Sequence, residues 1–169
     1  MKSLKFIFAT GLMLCSTLIS IQSFSEENLG AGIVLGAPTA LTLKYWQTKQ
    51  VAYDAGLGFS AGNYVLFYGD YLYHYPGAFK QKDAFLSRLT PYVGLGAIVA
   101  VTTGDRKDND NYLGKSSGSF GLGVRVPLGI EWIPREPSLG VFIEIAPGIS
   151  LIPSTSALLM AGIGVRYYF

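Results

Sequence analysis

Apolar side chains recur at every second position along most of the chain from Leu29 to the C-terminus. A period of two is that of a β-strand, in which successive side chains point to opposite faces. Residues that favour turns separate the alternating segments. The pattern therefore predicts an all-β chain with eight strands, at about 29–36, 39–47, 51–60, 63–75, 89–103, 119–133, 138–151 and 157–169.

The composition of the two faces indicates what surrounds this sheet. One face of the segments 89–103, 119–133 and 138–151 carries apolar side chains and no charge. In a soluble sandwich or a lipocalin-like barrel the other face would be rich in Lys, Glu and Thr. Here it holds mainly glycine, small residues and isolated charges. Such a face fits the crowded interior of a narrow barrel.

Strands that are apolar outside and small or polar inside are typical of a transmembrane β-barrel. Because every backbone N–H and C=O group must be paired in lipid, a sheet in a membrane has to close on itself. Past the N-terminal segment, the chain has no run of about 18 apolar residues that would indicate a transmembrane helix. The predicted fold is all-β, an eight-stranded antiparallel up-and-down transmembrane β-barrel.

Residues 1–25 have the composition of a secretory signal peptide. Two lysines precede a mostly apolar stretch at 6–21, and a small-x-small cleavage sequence ends at Ser25. We expect cleavage after Ser25. The mature chain, 26–169, is then a single outer-membrane β-barrel domain.

Cys15, the only cysteine, lies within the predicted signal, so the mature chain has no thiol and no disulfide. A lipoprotein signal at Cys15 is the alternative, but Leu14 is too large for the position before a lipidated cysteine. Removal of Lys2 and Lys5 leaves eleven basic residues against eleven acidic ones. With a net charge near zero and no basic patch, nucleic acid is not an expected partner.

The connections alternate as a barrel with both termini in the periplasm requires. The longest charged connection, 104–118, is predicted to be an extracellular loop, and it is the candidate contact surface for an extracellular ligand. The turns at 48–50 and 134–137 are predicted to be periplasmic. The segment 76–88 is long for a periplasmic turn, and a short helix is predicted within it, around 79–86.

The sequence resembles the eight-stranded outer-membrane β-barrel class, which includes the OmpA transmembrane domain and OmpX, over nearly the whole mature chain. The terminal pattern of Gly164, Tyr167 and Phe169 is similar to the C-terminal signal that barrel-assembly machinery recognises. The stretches 123–129 and 142–147 also resemble small uncharacterised bacterial barrel proteins. The resemblance implies the bacterial outer membrane as location, with membrane lipid and the assembly machinery as partners. It implies no specific activity, because function depends on loops and sites rather than on fold.

Polar side chains on the face opposite the apolar one are predicted to form an interior charge network: Lys44, Asp54, Asp70, His74, Arg125, Glu131, Glu144 and Arg166. Buried charges persist when they are paired and hydrogen-bonded. Antiparallel pairing predicts a cluster of Arg125, Glu144 and Arg166. The set is nearly self-neutralising, as expected for a structural plug that fills a narrow barrel. A gated polar channel is the alternative.

No catalytic, cofactor-binding or metal-binding residues are predicted. His74 has Tyr73 and Tyr75 as sequence neighbours, whereas a nucleophilic arrangement needs a base and a nucleophile within hydrogen-bond reach. Its predicted position near the periplasmic end also differs from that of lipid-modifying outer-membrane enzymes, whose residues lie near the outer leaflet. The Asp and Asn residues at 105–111 lack the Gly and the closing Glu of an EF-hand loop, which favours a solvated surface loop.

Six aromatic residues are predicted to belong to girdles at the membrane interfaces: Trp46, Tyr68, Tyr71, Tyr73, Tyr75 and Trp132. Pro127 and Pro147 fall inside central strands, where a residue without an N–H group removes a ladder hydrogen bond. Bulges are expected at both prolines.

The favoured function is that of an outer-membrane barrel with a side-chain-filled interior, no catalysis, and a membrane-structural or surface-interaction role through its extracellular loops. A small pore or transporter for ions or amphiphilic molecules is the alternative. A lipid-modifying outer-membrane enzyme is the third hypothesis, and it ranks below the other two.

Overall fold

The computed structural model describes residues 28–60, 64–79, 85–102, 120–134 and 138–169. The strands are β1 (Leu29–Ala37), β2 (Thr39–Trp46), β3 (Val51–Ser60), β4 (Tyr64–His74), β5 (Leu89–Thr102), β6 (Phe120–Arg125), β7 (Leu128–Trp132), β8 (Leu139–Ile152) and β9 (Ser156–Tyr168). All neighbouring strands pair antiparallel, and β6 and β7 are two parts of one barrel strand between β5 and β8. Because β9 pairs with β1, the sheet closes. The predicted eight-stranded antiparallel barrel is confirmed.

The strands are inclined to the barrel axis. We call the end at which β1 begins and β9 ends the terminal end, and the opposite end the loop end. The stagger of the strands can be measured by starting at a residue of β1 and moving across the sheet from each residue to its paired partner. After one circuit of the eight strands, this path returns to β1 at a position about ten residues closer to the loop end. With eight strands and such a stagger, the interior is just wide enough for side chains to fill it.

Burial alternates along the strands, with large apolar side chains outside and the polar and charged side chains inside together with further apolar ones. The outer wall carries aliphatic and phenylalanine side chains of the strands that are at least 49% exposed: Ile33, Leu35, Leu41, Leu43, Phe67, Leu95, Ile143, Ile145, Leu151, Leu159 and Ile163. This arrangement is the inverse of a soluble protein and suits a barrel surrounded by hydrocarbon. Within the described ranges, no helix is long and apolar enough to cross a membrane.

The two prolines in the central strands leave the register unchanged. The Pro127 carbonyl accepts a hydrogen bond from the Gly94 N–H (2.8 Å), and the Pro147 carbonyl accepts one from the Val126 N–H (2.8 Å). Because proline has no N–H group, each of the two residues lacks one ladder hydrogen bond but keeps the bond that its carbonyl accepts. The pairing is interrupted at the gap that separates β6 from β7. Pairing continues in step on both sides of the gap. The expected bulges at these prolines are wrong, and the register shift lies instead beside Leu122.

Most of the predicted short helix around 79–86 falls on residues that the structure does not describe. The described part of the connection from β4 to β5 contains a turn with Gly77 at φ 76° and a single-turn 3₁₀ helix at Leu86–Arg88. A left-handed φ of this kind favours glycine. Residues 80–84 lie outside the described residues, as do the predicted signal peptide 1–25 and the predicted extracellular loop 104–118.

Interior glycines lie directly beneath large interior side chains. A Cβ atom at Gly56 would be 2.2 Å from Tyr68 Cζ, and one at Gly164 would be 2.2 Å from Phe142 Cζ. The aromatic rings therefore occupy the space that a side chain would fill. This close approach explains why the inward face is rich in glycine.

Gly69 and Gly96 provide a matched test of this inside–outside arrangement. A Cβ atom at Gly96 would lie 1.8 Å from Asp70 Oδ1, whereas one at Gly69 on the outer wall would meet nothing within 4 Å. We expect Gly96→Ala to lower the free energy of unfolding by about 1–3 kcal/mol through overpacking. Gly69→Ala should leave it unchanged or raise it. Urea unfolding in lipid vesicles measures both, and equal effects of the two substitutions would contradict the assignment of faces.

Candidate functional site

The barrel interior contains every residue of the predicted charge network. Seven of the eight are buried and Glu144 retains 12% side-chain exposure. These residues come from six barrel strands: Lys44, Asp54, Asp70, His74, Arg125, Glu131, Glu144 and Arg166. They separate into a group around Glu131, towards the terminal end, and a group around Arg125, closer to the loop end.

Glu131 is the centre of the first group. Its Oε2 atom accepts a short hydrogen bond from Lys44 Nζ, and its Oε1 atom accepts one from the Tyr168 hydroxyl at 2.5 Å. Arg166 Nη1 lies 3.6 Å from Oε1 and His74 Nε2 lies 3.8 Å from Oε2. A fully buried carboxylate thus joins side chains from β2, β4 and β9. This convergence provides the pairing that a buried charge requires.

Arg166 extends this group across the barrel to β2 and β3. Its Nη2 atom donates a short hydrogen bond to Asp54 Oδ2 and a 3.0 Å hydrogen bond to Thr42 Oγ1. The Thr42 hydroxyl in turn donates to Asp54 Oδ1 at 2.7 Å. The guanidinium carbon lies 3.9 Å from the centre of the Phe142 ring. Arg166 is therefore held by two carboxylates, a hydroxyl and an aromatic face.

Arg125 is the centre of the second group. It binds Asp70 in a bidentate manner, with 2.9 Å from Nε to Oδ1 and 2.5 Å from Nη2 to Oδ2. Its Nη2 atom also donates to Glu144 Oε1 at 3.1 Å, and Glu144 Oε2 accepts from the Tyr92 hydroxyl at 2.7 Å. The guanidinium lies 3.9 Å from the centre of the Tyr68 ring. This planar fork is a geometry that lysine could not reproduce.

The predicted cluster of Arg125, Glu144 and Arg166 is only half correct. Arg125 contacts Glu144, but Glu144 lies opposite Gly162 and Arg166 lies opposite Gly140. The β8–β9 turn is centred on residue 153, two positions earlier than the prediction assumed. Moving the centre of the turn by two positions changes the partner of each β9 residue on β8 by four residues. Arg166 therefore contacts Asp54 and Glu131 instead.

His74 lies among aromatic rings at the terminal end of the interior. Its Nε2 atom is 2.8 Å from Lys44 Nζ, and its ring centre lies 4.3 Å from that of Trp46 and 5.0 Å from that of Tyr92. Because an ammonium group can only donate, Nε2 is the acceptor when Lys44 is charged. No serine or cysteine is among these contacts.

Two of the six predicted girdle aromatics lie inside the barrel. Tyr68 stacks on Arg125, and Trp46 packs against Lys44 and His74. The other four lie on the outer face: Tyr71, Tyr73, Tyr75 and Trp132. Strand parity contains the signal that distinguishes them, because Tyr68 shares its face with Asp70 and Trp46 shares its face with Lys44. The same parity identifies three further interior partners that the sequence prediction omitted, Thr42, Tyr92 and Tyr168.

An apolar cluster fills the interior nearer the loop end. Its members come from β2, β4, β5, β8 and β9: Ala40, Tyr64, Leu66, Tyr68, Ile98, Ala100, Ala146, Leu158 and Met160. A cavity of about 20 Å³ lies between this cluster and the ion pair of Arg125 and Glu144. That volume suits a single water molecule. Among the described residues, no group of His, Cys, Asp and Glu is placed to hold a metal ion.

A closed eight-stranded barrel with an apolar outer wall and an ion-paired interior defines an outer-membrane-type β-barrel. The N-terminal β-barrel domain of Pseudomonas aeruginosa OprF has a similar structure, with a TM-score of 0.60 and 20% identity over 83% of this chain and 95% of that chain. The outer membrane enzyme PagL gives a TM-score of 0.44 and 15% identity over 82% of this chain and 97% of that chain. At these identities the similarity to OprF supports the fold alone.

The family model described as a protein of unknown function, DUF3996, matches residues 21–169, and the chain belongs to that family. No curated protein matches the chain.

The two interior glutamates provide a test of the network. Glu131→Gln removes the charge that Lys44 and Arg166 share in a fully buried position. We expect a loss of about 3–5 kcal/mol in unfolding free energy, because Lys44 loses its carboxylate partner while Arg166 keeps only Asp54. Glu144→Gln should cost clearly less, since Arg125 keeps Asp70. Urea unfolding in vesicles measures both, and the reverse order would contradict the network described.

Proposed function

We propose that the protein is a non-conducting β-barrel of the bacterial outer membrane that anchors surface loops. The exposed apolar outer wall supports a location in lipid. The predicted signal peptide is consistent with export, and an N-terminal segment of that kind directs a chain out of the cytoplasm.

The filled interior is the observation that supports this proposal. The ion-paired groups around Glu131 and Arg125 occupy one part of the interior, and the apolar cluster occupies the part nearer the loop end. Leu66 and Ile98 in that cluster are fully buried. An ion crossing the barrel would have to break buried salt bridges and then cross an apolar layer. Both steps carry a large free-energy barrier.

The contacts of His74 support a structural rather than a catalytic role. The side chain is fully buried and its described contacts are Lys44, Glu131, Trp46 and Tyr92. A hydrolytic or acyl-transfer site needs an accessible nucleophile beside the base. We therefore propose no enzymatic activity for the barrel.

The extracellular loop 104–118 is the proposed interaction surface. It is the longest charged connection in the sequence and lies outside the described residues. Functional contacts concentrate on loops that a rigid scaffold presents. Because the barrel interior is filled and its outer wall faces lipid, ligand contacts are left to the loops.

Single-channel recording tests the proposal directly. The mature protein is refolded, its closure is established by heat-dependent gel mobility, and it is inserted into a planar bilayer. We expect no conductance steps, because the ion pairs and the apolar cluster block the interior. Reproducible steps that change in amplitude in Glu144→Gln would contradict the proposal and favour the pore or transporter for ions or amphiphilic molecules.

We also propose that the C-terminal strand is the assembly signal. Tyr167 and Phe169 lie on the outer face, with ring centres 5.3 Å apart, and both are at least half exposed. Gly164 lies on the inner face against Phe142. The Phe169 N–H donates to the Leu29 carbonyl at 2.9 Å, beside the seam at which the barrel closes.

Deletion of Phe169 separates recognition from stability. We expect the variant to accumulate unassembled in the periplasm, because the assembly machinery loses the terminal aromatic group. The same variant should still refold in vitro, since it loses only one backbone hydrogen bond. Fractionation with heat-dependent gel mobility measures the first outcome, and Phe169→Tyr is the control that keeps the ring. Normal membrane levels of the deletion variant would rule out this role.

A further inference from the structure

We propose that Arg166, Asp54 and Thr42 form a clamp that holds the barrel closed at its seam, the pairing of β1 with β9. We call these three residues the seam clamp. The inference goes beyond the proposed function, because it assigns one ion pair a role in barrel closure whether or not the interior conducts. It implies that weakening this contact opens one defined strand pair before the others.

The seam differs from the other strand pairs in what it joins. Each other pair joins barrel strands that follow one another along the chain, whereas the seam joins the first strand to the last. Pairing two distant segments costs more conformational entropy than pairing neighbours, because the intervening chain has to be ordered as well. The seam is therefore the strand pair that gains most from an additional contact across it.

The seam clamp crosses the seam on the inside of the barrel. Arg166 belongs to β9, Thr42 to β2 and Asp54 to β3, and β1 lies between β9 and β2 in the sheet. Arg166 Nη2 donates to Thr42 Oγ1 at 3.0 Å and makes a short hydrogen bond to Asp54 Oδ2. All three side chains are buried. The clamp therefore ties the last strand to the second and third strands across β1.

The sequence of β1 leaves room for this crossing. Gly32 pairs with Arg166 on one side and with Thr42 on the other, so it lies directly beneath the clamp. A Cβ atom at Gly32 would be 2.0 Å from the Val165 carbonyl oxygen and 2.8 Å from Arg166 Cγ. Glycine at this position lets β1 approach β9 closely while the arginine side chain passes over it. The first strand thus contributes backbone to the seam, and the clamp supplies the side-chain contacts.

The ion pair of Arg125 with Asp70 is a matched contact that does not cross the seam. Its two residues lie on β6 and β4, with β5 between them. They are 55 residues apart in the sequence, whereas Arg166 and Asp54 are 112 apart. All four side chains are buried, and each arginine also contacts a glutamate. The two ion pairs are therefore alike in chemistry and differ in whether they bridge the first and last strands.

Amide hydrogen exchange of Asp54→Asn and Asp70→Asn tests the seam clamp. Each variant of the mature protein is refolded into phosphatidylcholine vesicles, its closure is established by heat-dependent gel mobility, and exchange is followed by mass spectrometry. We expect Asp54→Asn to raise exchange in β1 and β9 by about tenfold or more, because local opening begins at the weakened seam. Asp70→Asn should raise exchange in β4, β5 and β6 and leave β1 unchanged. An increase in Asp54→Asn that is confined to β3, or spread evenly over the sheet, would overturn the clamp.

A disulfide across the seam provides a rescue experiment. Ile33 and Val165 pair across the seam on the outer face, and Ala55 and Gly69 pair across β3 and β4. Paired residues have Cα atoms about 4.5–5.5 Å apart, which suits a disulfide, and the mature chain has no other cysteine. In the Asp54→Asn background, an oxidised cysteine pair at 33 and 165 should restore the slow exchange of β1. The pair at 55 and 69 should not restore it, and equal restoration by both would contradict a role at the seam.

Thr42→Val keeps the test decisive if Asp54→Asn does not fold. This substitution retains both charges and removes the hydroxyl group that accepts from Arg166 and donates to Asp54. We expect exchange in β1 and β9 to rise by about threefold or more, as the loss of such hydrogen bonds implies. Thr42→Ser, which keeps the hydroxyl group, is the control and should exchange as the unmodified protein does. Unchanged exchange of β1 in a closed Thr42→Val barrel would overturn the proposal.

Discussion

The pairing of buried charges inside a narrow barrel is the interaction on which the rest of this structure depends. An outer wall made of apolar side chains leaves the interior as the place for the ionisable groups of the strands. Glu131 joins Lys44, Tyr168 and Arg166, and Arg125 holds Asp70 and Glu144. Because isolated charges are costly away from water, these contacts have to be satisfied together. The strand register is therefore tied to the ion pairs.

Glycine and aromatic residues make this pairing geometrically possible. Each interior arginine lies over an aromatic ring, Arg125 over Tyr68 and Arg166 over Phe142. The two rings lie in turn against glycines, which leave room for them beside the wall. Salt bridge, ring and glycine thus form three successive layers from the centre of the interior to the backbone. The glycines of the inward face therefore follow from the width of the barrel.

Strand parity predicted much of this arrangement, and tertiary register determined the rest. Alternation alone places Arg125 and Glu131 in the interior. The same rule places Tyr68 there, but the aromatic residues were assigned to a girdle without regard to their parity. The partner of Arg166 could not be derived in the same way, because it depends on where the β8–β9 turn is centred. The effect of the prolines was also overestimated, since a lost donor interrupts a ladder without changing its register.

A double-mutant cycle on Lys44 and Glu131 tests the central claim most directly, because both side chains are fully buried and in direct contact. Unfolding free energies in vesicles are compared for Lys44→Met, Glu131→Met and the double variant. The account predicts that each single variant loses about 3–5 kcal/mol. It also predicts that the loss of unfolding free energy in the double variant is smaller than the sum of the two single losses, by more than about 1 kcal/mol. Small and additive losses would contradict a barrel held together by its interior ion pairs.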